Sequence, residues 1–289
     1  MPPLHWSHRP DNLRAPAMVC AFTGWNDAAS AASGAVSFIN GSLGGRVFAT
    51  IDPEEFYDFQ NTRPQIRLVD GQTRKLEWPT VKLSEVRIPR APRDLVLVEG
   101  AEPSYRWRGF TELIVELAEA IGVQLVVTLG SLLADVPHSR PVSVTGFATD
   151  PAMVSRLGLS TSSYQGPTGI LGVLHAACQN AGMPSASLWA PVPHYVAAAP
   201  NPKASLALVR KLEGLVGVAI DALELERASG DFERQVNLAV QSDPDVQAFV
   251  EKLEAAASPA ELPDPTELPS GDSIARDLQR FLRQRDPGS

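Results

Sequence analysis

Ala17-Met-Val-Cys-Ala-Phe22, followed by Thr23-Gly-Trp-Asn-Asp27 and then Ala28 to Ile39, is the stretch whose reading decides the fold. Six consecutive apolar residues between Pro16 and Thr23-Gly24 read as a buried strand. Asn26 or Asp27 is placed to cap a helix. Ala28, Ala31, Ala32, Ala35, Val36 and Ile39 then fall on one helical face, at the spacing of an amphipathic helix. Gly44-Gly45 ends it, and Arg46–Ile51 reads as a second strand. A β-α-β opening predicts a parallel pair with a right-handed crossover.

Working outward, Phe56–Ile88 changes character. Short alternating runs (65–69, 73–78 and 82–88) surround Asp70-Gly71, a dipeptide suited to a hairpin turn with two positive φ angles. These predict antiparallel strands that join the sheet or cover it. Strand and helix then alternate: strands at 95–99, 123–129, 142–148 and 185–192, helices at 110–121, 169–181 and 203–228. Such alternation predicts an α/β fold, a three-layer sandwich around a mostly parallel central sheet.

From Gly230 the pattern is helical alone. Residues 258–271 hold four prolines and read as a linker, and 272–285 reads as a last helix with arginines toward its end. The expected organisation is an α/β core over 1–229 and a C-terminal helical appendage over 230–289.

Bulk properties agree with a chain that buries a real core. The 289 residues are 44% hydrophobic, and the net charge is −8. With a pI near 5.2, nucleic acid is a poor partner, since phosphate binding needs clustered Lys and Arg. Past Ser229 there are twelve acids and six bases, so most of the negative excess lies in the last fifth. Cys20 and Cys178 sit in apolar runs and read as small core residues. Met1-Pro-Pro-Leu-His-Trp6 lacks the pattern of a signal peptide, and no apolar run approaches the ~20 residues that span a bilayer. The expectation is a soluble cytoplasmic protein with no membrane contact.

Polar residues collect where strands end, the usual place for α/β sites. Trp25, Asn26 and Asp27 lie between the first strand and first helix, either as an anion site or as a cap with a packed Trp. Glu54, Tyr57 and Asp58 precede Arg63, as a ligand clamp or an ion pair. Glu99 and Glu102 follow a strand, suited to acid–base work, to a divalent ion, or to a turn. Asp135, His138 and Arg140 share one loop, able to polarise a substrate or to hold an Asp135–Arg140 pair. Thr168 can cap the helix starting at Gly169 and leave N–H groups for an anion. His194 and Tyr195 close the set, while His175, on an apolar face, reads as a satisfied core histidine. No nucleophile elbow, His-Glu-x-x-His or EF-hand pattern is present.

Gly24-Trp-Asn-Asp-Ala-Ala, Phe56-Tyr-Asp-Phe with Arg63-Pro, Glu99-Gly-Ala-Glu-Pro, Asp135-Val-Pro-His-Ser-Arg-Pro, Gly166-Pro-Thr-Gly-Ile and Leu188-Trp-Ala-Pro-Val-Pro-His-Tyr-Val together resemble the PAC2 family, named for proteasome assembly chaperone 2, in its actinobacterial branch. The likeness runs from about Ala17 to Lys252. It implies a fold like that of nucleoside phosphorylases, a homo-oligomer such as a homotrimer, and a chaperone or adaptor role around proteasome-like assemblies. No cofactor is expected. A divalent metal on an oligomer axis, held by Glu or His of each subunit, is a further reading. The hydrophobic-Tyr-X tail of some relatives is not matched by Arg285-Asp-Pro-Gly-Ser289. Two functional readings follow. One is a non-enzymatic assembly protein whose C-terminal helices engage a partner. The other is an enzyme or binding protein for a small anionic molecule, resembling a hydrolase or phosphorylase, with its pocket at the strand exits.

Overall fold

The computed structural model describes residues 3–150, 152–153, 164–196 and 199–256. The linker and last helix expected over 258–285 lie outside these residues. Among the described residues there are ten strands: β1 (Leu4–Trp6), β2 (Ala17–Thr23), β3 (Arg46–Ile51), β4 (Gln65–Val69), β5 (Thr73–Glu77), β6 (Val81–Val86), β7 (Leu95–Ala101), β8 (Leu125–Ala134), β9 (Thr145–Ala148) and β10 (Ser185–Pro193). The helices are α1 (Ala31–Leu43), α2 (Trp107–Ala120), α3 (Ile170–Asn180), α4 (Pro202–Val216), α5 (Leu223–Gln241) and α6 (Pro244–Ala256). Eight strands form one sheet in the order β1-β3-β6-β7-β2-β8-β10-β9. Its centre, β7-β2-β8-β10, is parallel, and antiparallel strands flank it on both sides.

Strand β2 shows how the core is built. Ala17, Val19 and Ala21 point to one face of the sheet, where α1 and α4 pack. Met18, Cys20 and Phe22 point to the other, under α2 and α3. A period of two with both parities apolar is the mark of a strand covered on both sides. On the second face Phe110 of α2 meets Phe22 and Phe56 edge-on, with centroids 5.6 and 5.2 Å apart. Cys20 and Cys178 are buried thiols, and burial raises both, Cys178 to about 11.

Two expectations are corrected. The β2-α1-β3 unit is not an adjacent parallel pair. β3 lies beyond β7 and β6 and pairs antiparallel with β6, although it keeps the sense of β2. The helix expected over 203–228 is two helices. Gly217, at φ 68°, ends α4 in the left-handed conformation that glycine adopts without strain, and α5 starts at Leu223. Gly230 lies inside α5. The run at 82–88 joins the main sheet as β6. The Asp70-Gly71 hairpin instead stands as a separate two-stranded sheet, with φ of 53° and 73° at its turn.

Buried charge is held by several partners at once. Glu85 accepts from Arg46, Arg87 and His8. Burial works against its charge, yet these bonds win and hold the carboxyl below its ordinary range. Asp94 is held down in the same way: burial raises it, and Arg14 with the backbone N–H groups of Arg14 and Ile88 outweighs that. His175 bonds Ser185 Oγ at 2.9 Å under the edge of Phe147, and burial lowers its pKa.

The pH dependence follows from these signs. A lowered His175 contributes stability above the unfolded imidazole value of about 6.5, and that stability is lost as pH falls below it. Glu85 and Asp94 contribute above about 4 and are lost as pH falls through their lowered values. Urea midpoints should drop for the wild type between pH 7.5 and 5.5. His175→Gln should drop less over that interval and match the wild type in its further loss below pH 4.

Candidate functional site

The C-terminal ends of β2, β7, β8 and β10 meet the starts of α1, α3 and α4. Each helix start leaves N–H groups that need acceptors. For α1 the cap by position is Ser30, at φ 52°, and its side chain caps nothing. Asp27 does the work from three residues earlier. Its Oδ1 accepts from the N–H groups of Ala32 (2.8 Å) and Ser33 (3.1 Å), and its Oδ2 from Ser33 Oγ. For α4, Asn201 Oδ1 accepts from the Ala204 N–H at 3.0 Å.

For α3 the acceptor comes from another segment. Glu102 Oε1 accepts from the Ile170 N–H at 2.8 Å and from Asn26 Nδ2 at 3.0 Å, and Oε2 from the Trp25 N–H at 3.3 Å. Thr168 therefore does not cap this helix. Its hydroxyl leans over the first turn, 2.0 Å from where a Cβ on Gly172 would stand. A Cβ on Gly169 would meet the Asn26 amide at 2.2 Å, so glycine there is a requirement of packing. The anion position foreseen at this helix start is filled by the chain's own carboxylate.

Glu99 does not join Glu102. Alternation turns Glu99 toward α1, where Asn40 Nδ2 lies 3.4 Å from its Oε1. Tyr57 is buried, its hydroxyl donates to the Ala101 carbonyl at 2.6 Å, and burial raises its pKa. Asp58 accepts from the Gln60 N–H and Asn61 Nδ2 within its own turn, and Arg63 is exposed, with no ion pair to Glu54 or Asp58. Trp25 is 67% exposed, so the packed Trp expected beside the cap is corrected: its backbone is held and its ring faces solvent.

The 135–140 loop meets the C-terminal helices. Asp135 pairs with His194 Nδ1 at 2.8 Å and not with Arg140, its alternative partner, which is exposed. His138 is buried between the core and α5. Its backbone N–H donates to Tyr195 Oη at 2.7 Å, so that hydroxyl is free to donate to His138 Nδ1, also at 2.7 Å. Nε2 then carries the proton and donates to Asn237 Oδ1 of α5 at 2.9 Å. Lys203 bridges the His138 carbonyl and Glu233 of α5, and Ser139 donates to Glu254 of α6. Phe249 of α6 lies 5.4 Å from His194 and 5.9 Å from Tyr195. Sequence reading missed Lys203, Glu233, Asn237 and Phe249. They sit on ordinary helix faces, and only the tertiary contact gives them a role. Among the described residues no three His, Cys, Asp or Glu side chains gather as metal ligands.

These networks carry measurable energy. Glu102→Ala leaves the Ile170 N–H and the Asn26 amide without their acceptor, and should lower unfolding free energy by about 1–3 kcal/mol, read from denaturant midpoints. His138→Ala should cost a similar amount, about 1–3 kcal/mol, and should speed amide exchange in α5 and α6 before the central strands. Equal acceleration everywhere would refute the second expectation.

The comparisons with known proteins agree with this architecture. Residues 21–240 match the model described as the PAC2 family. A solved PAC2 family protein from Streptomyces avermitilis is 48% identical, with a TM-score of 0.76, covering 81% of this chain and 99% of the other. A proteasome-assembly chaperone homologue from Mycobacterium tuberculosis is 43% identical, with a TM-score of 0.75 over the same shares. PbaB of Pyrococcus furiosus, an archaeal proteasome activator, shares the fold at 16% identity and a TM-score of 0.65, covering 82% of this chain and 97% of its own. No curated protein sequence matches. On the family match and the two close structures, the chain belongs to the PAC2 family.

Proposed function

We propose that this chain is a non-enzymatic, homo-oligomeric assembly protein with a chaperone-type role, acting on proteasome-like assemblies. The observation that carries this reading is the internal use of the polar groups at the strand exits. Glu102 fills the anion position at α3, and His138 with Tyr195 is committed to holding α5. A relative 43% identical is a proteasome-assembly chaperone homologue, which supports the role. The core supplies the oligomer, a trimer in this reading, and the C-terminal region engages the protein partner. The protein works in the cytoplasm without a cofactor; no described helix is long and apolar enough to cross a membrane.

A second reading rests on one pair. Asp135 orients His194 at the ends of β8 and β10, where a small anionic substrate would meet an imidazole. Both side chains are open to solvent, but the neighbouring helix start at α3 offers no free anion position, because Glu102 fills it.

Two measurements separate them. Light scattering on the purified chain should give three times 31.0 kDa. Capture with purified proteasome core particles should succeed with the full chain and fail with one ending at Ala256. A single-chain mass together with no capture overturns the assembly reading. A melting shift with nucleosides, phosphate or carboxylates, abolished by His194→Ala, would establish the second.

A further inference from the structure

The β4–β5 hairpin carries a surface that the described residues leave open. Every residue of β4 and Thr73–Leu76 of β5 are exposed, and the two strands pair only with each other. Ile66 stands opposite Leu76, and Leu68 opposite Arg74, which puts these side chains on one face. Trp78 follows Leu76 by alternation. Ile66, Leu68, Leu76 and Trp78 are 61, 62, 49 and 48% exposed. The edge contact of Trp78 with Phe59, at 4.9 Å, ties the base of the ribbon to the body.

A two-stranded ribbon is marginal alone in water and gains its stability from a packed face. Four side chains this large, about half exposed, present on the order of 400 Å² of apolar surface. That is about half the ~800 Å² that each partner gives to a stable interface. It suits the apolar centre of one, with Arg74, opposite Leu68 on the same face, as its charged flank.

Charge decides which surface it meets. Residues 63–78 hold four bases and two acids, a net of +2, on a chain of net −8. The remainder of the chain is therefore −10. Two hairpins face to face would oppose like charges, whereas a hairpin against the body of another copy joins opposite ones. A contact between two different patches is head-to-tail, and it forms a ring where the rotation between copies closes.

We propose that the apolar face of the β4–β5 hairpin seats on the body of a second copy of this chain, head to tail. This rests on the self-assembly part of the reading above and names its interface. The test uses the full chain. Ile66→Ser with Leu68→Ser removes the apolar face. Arg74→Glu with Lys75→Glu reverses the charge at exposed positions that bury nothing, so the second variant stands if the first fails to fold. Both should fall to the 31.0 kDa of one chain by light scattering, with circular dichroism and melting unchanged. Cys20 and Cys178 are buried, so Leu68→Cys introduces the one reactive thiol of the described body. Coupled to a photoreactive maleimide, it should crosslink a second chain outside residues 63–78, and oxidation should give no disulfide dimer. An oligomeric wild type whose variants keep their mass overturns the hairpin interface alone. A disulfide dimer through Leu68→Cys overturns the head-to-tail arrangement. A wild type that stays a single chain overturns both this proposal and self-assembly.

Discussion

Helices begin beside one end of a parallel sheet, and each beginning brings N–H groups with no partner inside the helix. In many α/β proteins that deficit is where a ligand binds. In this chain it is met from within, and the rest of the architecture depends on how. Asp27 serves α1 from a loop held across β8, where the Ser131 N–H bonds the Asn26 carbonyl and Ser131 Oγ the Ala28 carbonyl. Asn201 serves α4, and its own N–H bonds the Ala29 carbonyl, which ties the start of α4 to the start of α1. Glu102 serves α3 while clasping the 24–27 loop. Five segments distant in sequence, around residues 24–33, 102, 131, 170 and 201, thus fix one another's positions through Glu102, Ser131 and the Asn201 N–H.

The elements that could be read from the sequence are those whose signal is local. β2 and α1 were legible because both faces of the strand and one face of the helix are apolar without interruption. The hairpin turn was legible because Asp70-Gly71 meets a backbone demand that few other pairs meet. Pairing was not. Nothing inside Arg46–Ile51 says that its neighbour is Val81–Val86 and not Ala17–Thr23, because register and order are properties of the whole sheet. Gly217 was in view, but its role as a terminator depends on a left-handed conformation that the surrounding apolar spacing masks.

The candidate site divides along the same line. Asp27 as a cap was within reach of sequence reading, since its residue type and place name the role. Glu99 and Glu102 look like a carboxylate pair in the chain, yet alternation sends the first toward α1, while the second leaves the strand and reaches α3. Asp135 finds His194 and not Arg140, because β8 and β10 are adjacent parallel strands and deliver their ends side by side. His138 acquires its role from Asn237, 99 residues away. The small apolar cluster of Val196, Val236, Val240 and Val250 is modest beside the two main cores, so polar bonds carry much of the specificity with which α5 and α6 are seated.

The main sheet ends on one side with β1, three residues long, and on the other with β9, four residues long. An exposed strand edge is a template on which a foreign strand can extend the sheet, and its hazard grows with its length. These two edges offer too few consecutive N–H and C=O groups to hold an added strand in register. The sheet is thereby closed to growth at both margins. At these margins any contact of the main sheet is left to side chains, whose identity can discriminate one surface from another.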